Sequence, residues 1–251
     1  MKGEHNNKGI SRGASLLVLL ILVSSFTVFL AFAATPEGPS ITYVSNTSRV
    51  AGDATLREGD AKGTITTINL DFEQQNRRWK AYVGNVTGRL TLQDVEGYAI
   101  YDWTLEADYR GTVFASRNNT IDWNSIGCAN VTILESEEAA MSHVPGSDDS
   151  ISSTFNATDH LWFFVSGTNV SSCPYTPMYV NGTPQAQDTD AQFQQVLVMD
   201  TNNSIMIYAS RIEGGEMGYN PNFTYDFQMI IAESGNPLVT NTPYYFYIEI
   251  E

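Results

Sequence analysis

The sequence predicts an all-β fold: a β-sandwich ectodomain with one short helix, preceded by an N-terminal hydrophobic helix. From Thr64 onward, apolar and polar residues alternate with a period of two, which places successive side chains on opposite faces of a strand. Turn-forming stretches such as DVEG, DTNNS and ESGNP separate these runs at short intervals. Many short alternating strands joined by such turns are typical of two packed sheets.

The first predicted element is a hydrophobic helix within residues 1–34. Residues 14–34 carry no charge, and about 20 apolar residues are needed to cross a bilayer as a helix. Basic residues precede this stretch, and Glu37 is the first charged residue after it, which predicts that the remainder lies outside the cell. We therefore expect a cell-surface or extracellular protein whose N-terminal helix makes the membrane its first partner.

Three forms of this leader remain open. A signal peptide would be cleaved at the small residues 31–33, whereas an uncleaved helix would anchor the protein in the membrane. In the third form, cleavage follows Gly9 or Gly13, ahead of the apolar run. The polar lead and unbroken hydrophobic helix resemble archaeal type IV pilin precursors, and this resemblance implies a subunit that assembles into filaments.

A stalk is expected next, over residues 35–63, because this stretch is rich in Pro, Gly, Ser and Thr and has no sustained period. It could hold one short strand at residues 41–44. The ectodomain is predicted over residues 64–251. Its strand runs, in order, are TITTINLDF, WKAYV, RLTL, AIYDWTL, LWFFV, QVLVM, IMIYA, FTYDFQMII and YYFYIEI.

One stretch has a helical rather than a strand pattern. Residues 125–142, SIGCANVTILESEEAAMS, place Val131, Leu134 and Met141 near one face and the acidic residues on the other. The sequence therefore predicts a single crossing helix that carries Cys128 and would be tied by a disulfide to the strand region near Cys173.

The chain has two cysteines, Cys128 and Cys173, and we expect them to form a disulfide. A lone pair of cysteines in an exported chain is usually bridged. No histidine pair lies nearby, so a metal site is the weaker alternative. In the chain-entropy model, closing a loop of this length stabilises the fold by about 4 kcal/mol.

The pattern Asn-x-Ser/Thr, the acceptor of N-linked glycans, occurs nine times, whereas chance at this composition would give roughly three. The alternative is that a surface rich in asparagine and threonine produces the pattern incidentally. We expect glycosylation, which requires an exported protein with these side chains on its surface. The nine acceptors are Asn46, Asn85, Asn118, Asn130, Asn156, Asn169, Asn181, Asn202 and Asn222.

Three acceptors have a predicted local setting. Asn202 lies in DTNNS between two apolar runs, at the tip of a hairpin. Asn222 is expected on a strand face opposite Phe223. In GNVTG, residues 84–88, the two glycines would allow a turn or bulge that directs Asn85 outward between two paired strands.

The charge balance argues against nucleic acid as a partner. The formal net charge is −15 and the sequence pI is near 4.4, a composition that repels phosphate backbones and anionic lipid. The one basic cluster, residues 77–80, is better explained as a charged strand edge than as a phosphate site.

Enzymatic activity is not predicted. From residue 14 onward, no nucleophile-elbow, zinc-protease, phosphate-loop or dinucleotide motif occurs in the sequence; the one G-x-S-x-G match, GISRG at residues 9–13, lies in the leader. Outside the leader the histidines are His143 and His160, and His160 begins an apolar strand. Asp102, Asp122 and Asp226 could form the carboxylate pair of an exported hydrolase. Acids that alternate with aromatics are, however, the ordinary product of strand alternation.

No cofactor is predicted, and calcium is the alternative with the most oxygen ligands to offer. None of the acidic loops matches the twelve-residue calcium loop of EF-hands. Asp188 and Asp190 are the residues to test first. The remaining candidates are Asp148, Asp149, Asp200, Asn202 and Asn203.

The tyrosines near residues 244–247 offer a second kind of site. Tyrosine supplies contact area and a hydrogen bond at low entropic cost, so an exposed row could bind glycans or proteins. The alternative is a half-buried row on a sheet, since tyrosine is common in strands.

Several motifs in fixed order resemble an uncharacterised group of exported archaeal surface proteins with a β-rich ectodomain. They are RRWKAYVGNVTGRLTL with YDW, IDWNSIGCAN, TFNATDH and YDFQMIIAESG with YYFYIEI, within residues 64–251. The resemblance implies an archaeal envelope setting and carries over no catalytic or binding residue. The predicted function is a non-enzymatic, N-glycosylated surface protein with a structural or adhesive role, able to self-assemble or to bind surface proteins or glycans.

Overall fold

The structure, a computed structural model, describes residues 35–103 and 110–250. The predicted leader, residues 1–34, lies outside the described residues. From Thr35 onward the chain forms one compact unit. Within the described ranges, no helix is long and apolar enough to cross a membrane.

Strands dominate the described residues, so the prediction of a mostly β fold is confirmed. The strands are β1 (Trp79–Gly84), β2 (Leu90–Gln93), β3 (Ala99–Trp103), β4 (Gly111–Ser116), β5 (Ile126–Cys128), β6 (Phe163–Val165), β7 (Thr168–Val170), β8 (Tyr175–Pro177), β9 (Gln194–Asp200), β10 (Ile205–Arg211), β11 (Glu216–Met217), β12 (Thr224–Tyr225), β13 (Phe227–Ala232) and β14 (Tyr245–Ile250). The helices are α1 (Val131–Ala140) and α2 (Ile151–Thr154).

A six-stranded antiparallel sheet forms the centre of the domain. Its order is β14-β4-β10-β9-β5, and β8 also pairs with β9. Every residue of β4 and β9 is buried, so this sheet is covered on both faces. Strand residues that are buried on both faces read as apolar runs, which explains why QVLVM and IMIYA were recognisable in the sequence.

One face of the central sheet packs against β1 and β13, which pair with each other, and against α1 and α2. The shared core includes Leu197 and Tyr208 from the sheet, Ile231 from β13 and Phe155 after α2. These contacts remove large apolar side chains from water, the main favourable term in folding.

The opposite face is covered by the β6–β7 hairpin and the segment that follows it. Phe163 and Val165 of β6 pack on Phe114 and Ile207 of the sheet in a second core. Ser166 and Gly167 connect β6 to β7 with positive φ angles of 47° and 78°. Two successive positive φ angles define the tight turn that suits the twist of a hairpin.

The predicted helix is shorter than expected and begins later. Ile126–Cys128 is strand β5, which pairs with β9, and the helix starts only after Asn130. The side-chain oxygen of Asn130 accepts a hydrogen bond from the Ile133 amide, as helix N-caps do. Val131 was expected on the buried face and is instead 68% exposed.

Cys128 lies at the end of β5, so the prediction that the helix carries it is wrong, and the acidic side of α1 is itself partly buried. Glu137 and Glu138 are both buried. Glu137 accepts two hydrogen bonds from Arg117 at 2.7 and 2.6 Å. Glu138 accepts one from the amide and one from the hydroxyl of Ser152, both at 2.8 Å. These acids hold α1 to the sheet and to α2, because a buried carboxylate is tolerated only when its oxygens are paired.

Two predicted strands are absent from the described residues. Residues 41–44 and 64–72 form no strand and are exposed throughout. The first strand therefore begins at Trp79, fifteen positions later than the alternation suggested. Glu37 is the one stalk residue that joins the domain by a bridge, with two backbone hydrogen bonds to Ile248.

Candidate functional site: exposed sequons, a disulfide and a charged groove

All nine predicted glycan acceptors are exposed. They include positions at strand ends, in turns and in loops, so they are not confined to one element. Exposure is the condition that a transferase needs, while occupancy remains a prediction. The nine side chains are Asn46, Asn85, Asn118, Asn130, Asn156, Asn169, Asn181, Asn202 and Asn222.

Asn202 lies in the connection between β9 and β10, as predicted. The buried Asp200 carboxylate shapes this turn by accepting hydrogen bonds from the Asn202 and Asn203 amides at 3.0 and 3.1 Å. It also accepts from the Asp122 amide at 2.8 Å and from the Asn203 side chain at 2.7 Å. Burial raises the pKa of Asp200, but these hydrogen bonds outweigh it, so the net pKa is lowered.

The setting predicted for Asn85 is wrong in one respect. β1 and β2 do not pair with each other: β1 pairs with β13, and β2 with β3. Gly84 is needed because a Cβ atom there would approach the Phe227 ring to 3.3 Å. The Val86 amide donates to the Asp226 carboxylate at 2.6 Å, which fixes the chain as it leaves β1. Asn85 is therefore exposed on a connection between two sheets.

The alternation predicted around Asn222 is also wrong. Asn222 precedes β12 rather than lying within a strand, and Phe223 is 60% exposed. Its neighbour Asn220 accepts from the Asn222 amide at 3.0 Å, so a local turn replaces the extended chain.

The predicted disulfide between Cys128 and Cys173 is present, with a Cα–Cα distance of 4.8 Å and a sequence separation of 45. Cys128 ends β5 of the central sheet, and Cys173 lies between β7 and β8. The bond thus fastens the segment after the β6–β7 hairpin to the sheet, so this layer stays attached to the sheet while the bond is intact.

His160 supports the same region rather than a catalytic site. Its Nε2 accepts a hydrogen bond from the Cys173 amide at 3.0 Å, and its Nδ1 donates to the Leu161 carbonyl at 2.9 Å. Burial lowers the pKa of His160, and these two bonds require the neutral ring. His143 is also buried and contacts the Glu233 carbonyl through Nε2.

The three candidate hydrolase carboxylates are held by different partners. Asp102 pairs with Arg89 on the β2–β3 hairpin at 2.7 Å. Asp122 accepts from the Asn202 side chain at 2.8 Å, and Asp226 accepts from the amide after Asn85. Each of the three groups thus has a local structural role.

The calcium candidates have similar local roles. Asp188 accepts from the Thr189 hydroxyl and the Asp190 amide, both at 3.3 Å. The carbonyls of Asp188 and Thr189 are occupied by the side chain of Gln194. Asp149 pairs with Arg78 at 2.8 Å. Within residues 35–103 and 110–250, no group of three or more acidic, histidine or cysteine side chains could hold a metal ion.

The tyrosines near residues 244–247 do not form one exposed face. Tyr244 donates to the Ala232 carbonyl at 2.7 Å and lies on one side of the sheet. Tyr247 lies on the other side, against Trp123, with ring centroids 5.1 Å apart. Alternation along β14 distributes the row between two layers.

The basic cluster is neutralised by carboxylates, as expected of a charged strand edge. Lys80 pairs with Glu233 at 2.9 Å, and Arg78 pairs with Asp149. The Trp79 indole donates to the Asp149 carbonyl at 2.9 Å.

Sequence reasoning missed a groove of about 330 Å³ at one end of the central sheet. Arg110 and Arg211 line it together with Glu213, Asp190 and Leu161. Among the described residues, no carboxylate lies within salt-bridge distance of either arginine, although the chain is strongly acidic. The sequence indicates this groove only weakly, because its two arginines lie 101 positions apart in the chain.

Glu213 gives the groove a second kind of polar group. Burial raises the pKa of Glu213, and Glu216 adds to this effect, while the two arginines and the Phe193 amide oppose it. One of its carboxyl oxygens is buried and has no hydrogen-bond partner. The groove thus combines two cations with a partly buried acid whose pKa is raised.

Comparison of the chain with protein-family models, curated proteins and solved structures found no match.

Proposed function

We propose that the chain is a non-enzymatic, N-glycosylated cell-surface protein with a structural or adhesive role. It would be a pilin-like filament subunit or a membrane-anchored module, with a β-sandwich ectodomain and an archaeal envelope setting as the resemblances imply. The observation that carries the proposal is that all nine acceptor asparagines are exposed on a disulfide-linked domain. Glycans and disulfides both belong to exported proteins.

The polar groups of the domain support a non-enzymatic role. Asp200, His160 and Glu138 are buried and bonded chiefly to the main chain, so they stabilise turns and helix ends. A catalytic base needs a proton to abstract within hydrogen-bond reach of a substrate. Side chains whose hydrogen bonds go to the backbone are poor candidates for a catalytic base.

Glycopeptide mass spectrometry of protein from its native membrane tests the proposal. We expect glycans on several acceptors, including Asn85 and Asn202, because both side chains project from connections between strands. Asn124 is a matched control: it is exposed, but Ile126 stands where an acceptor needs Ser or Thr. Unmodified peptides at all nine acceptors would contradict the proposal.

The groove favours a second function, the binding of an anionic ligand such as an acidic sugar. Guanidinium groups bind carboxylates and sulfates through two parallel hydrogen bonds, and those of Arg110 and Arg211 have no carboxylate partner among the described residues. This function is compatible with an adhesive surface protein, since acidic sugars are common in cell envelopes.

Replacing both groove arginines, Arg110→Gln with Arg211→Gln, should weaken the binding of glucuronate at least tenfold, because charge-assisted hydrogen bonds contribute about 1.5–3 kcal/mol each. Ligand-observed NMR with glucuronate and sulfate as probes would measure this change. Arg57→Gln with Arg89→Gln is the matched control, because those arginines are exposed and already paired. Equal binding by both double variants would exclude the groove as the site.

A further inference from the structure

Segment 64–72, TITTINLDF, has the pattern of a strand without a partner. Ile68, Leu70 and Phe72 alternate with polar residues, and all three are exposed, Leu70 by 84%. Within the described residues this segment joins no sheet; its backbone hydrogen bond, from Thr64 to Ala61, belongs to a turn. An extended apolar stretch of this kind exposes both its side chains and its backbone groups to pairing.

Among the described residues, the β2–β3 hairpin also lacks a partner, since its apolar face is exposed and its sheet has only two strands. Leu90 lies opposite Trp103, and Leu92 lies opposite Tyr101, so these four side chains share one face, the apolar hairpin face. All four are exposed, Trp103 by 48%. The hairpin forms its own two-stranded sheet, and neither outer edge pairs with another described strand. A two-stranded hairpin with an uncovered apolar face is only marginally stable in water.

We propose that segment 64–72 of one copy of this chain adds as a strand to the β2–β3 hairpin of a second copy. The inference rests on the proposed structural role and names its partner. Strand addition supplies backbone hydrogen bonds at the edge, and alternate apolar residues supply the side-chain contacts. Residues 68, 70 and 72 have the spacing that matches the apolar hairpin face.

Pairing between copies is the form that we propose, and β1 is the element that stands between the segment and the hairpin in the chain. This strand is fixed on β13 over six paired residues. Within the described residues, the segment and the hairpin of one copy do not pair with each other. Because every copy carries both a donor segment and an acceptor hairpin, the contact is head-to-tail and can extend into chains of copies.

Charge gives the association a recognisable salt dependence. Copies with a formal net charge of −15 repel one another, and added salt screens that repulsion. Apolar and backbone contacts are not weakened by salt. We therefore expect self-association to strengthen between low and physiological ionic strength, whereas assembly through ion pairs would weaken.

The test uses the full chain in mild detergent and compares two substitutions that alter one side of the contact each. Leu70→Lys removes the donor, and Trp103→Lys removes the acceptor. Both residues are exposed, so the folded domain should persist, as circular dichroism would check. In analytical ultracentrifugation each variant alone should associate at least tenfold more weakly than the wild type. Asn69→Lys, with the same charge on the polar face of the segment, should associate like the wild type.

Mixing the two variants decides between pairing within and between copies. The Leu70→Lys chain keeps its acceptor and the Trp103→Lys chain keeps its donor, so the mixture should form one-to-one dimers. A mixture that stays monomeric, or association that none of the substitutions weakens, would overturn the inference. Neither result would alter the glycopeptide test, so a failure here is distinguishable from a failure of the proposed surface function.

Discussion

Replacing both cysteines, Cys128→Ser with Cys173→Ser, should lower the free energy of unfolding by about 4 kcal/mol. The disulfide closes a loop with a sequence separation of 45 and joins the central sheet to the hairpin layer. Without it, the unfolded chain regains the entropy that the loop constraint had removed. For a domain of this size the loss corresponds to a melting temperature lowered by roughly 8–16 °C. Calorimetry or urea unfolding measures the change.

Reduction of the wild type provides the control. A thiol reductant should lower the melting temperature of the wild-type protein to that of the double variant and should leave the variant unchanged. A double variant within 1 kcal/mol of the wild type would mean that the hairpin layer is held by its apolar core alone, contrary to the role assigned to the disulfide.

Asp200→Ala should cost about 3 kcal/mol of stability. The buried carboxylate accepts from three main-chain amides and one side chain, and alanine would leave the Asp122, Asn202 and Asn203 amides without that partner. Hydrogen bonds to a charged group contribute about 1.5–3 kcal/mol each, and relaxation of the turn toward water recovers part of the loss. Asp190→Ala, on an exposed loop, is the matched control and should change stability by less than about 0.5 kcal/mol.

The pH dependence of the same variant follows from the pKa of Asp200, which is lowered in the folded state. Burial raises this pKa, but the hydrogen bonds from Asn203, Asp122 and Asn202 lower it by more. A carboxyl group of this kind stabilises the fold fully above its unfolded pKa of 3.8 and loses that contribution as the pH falls through the folded value. The difference in stability between wild type and Asp200→Ala should therefore be largest near pH 7 and should shrink below pH 3.8. A difference that grows on acidification would contradict the assignment.

Of the strands that are buried almost throughout, β9 and β10 were predictable from the sequence, whereas the fully buried β4 was missed. β9, β10 and the edge strand β14 were recognisable because their apolar runs lie between turn signals. The helix start was misplaced because Ile126 belongs to a strand, and its partner there, Asp200 of β9, lies 74 positions away. Residues 64–72 were predicted as a strand because alternation reports the period of the side chains. It does not report whether another strand is available to pair.

The candidate site was predictable only in its local parts. Sequons are local patterns, and two cysteines can form one pair, so both were available from the sequence. The roles of Asp200 and His160 depend on the Asp122 and Cys173 amides, which the fold brings near, whereas the sequence suggested a calcium ligand at Asp200 and a strand edge at His160. The groove was missed because Arg110 and Arg211 come from opposite ends of two neighbouring antiparallel strands, which only the pairing of β4 with β10 unites.

The central claim is that the chain from residue 35 onward faces the outside of the cell. The most direct test is to label intact cells with a membrane-impermeant amine reagent and to map the modified lysines by mass spectrometry. Lys62 is exposed on the stalk, and Lys2 and Lys8 precede the hydrophobic stretch. We expect Lys62 to be modified on intact cells and Lys2 and Lys8 to remain unmodified. Modification of Lys62 only after the cells are broken would contradict the proposed surface location.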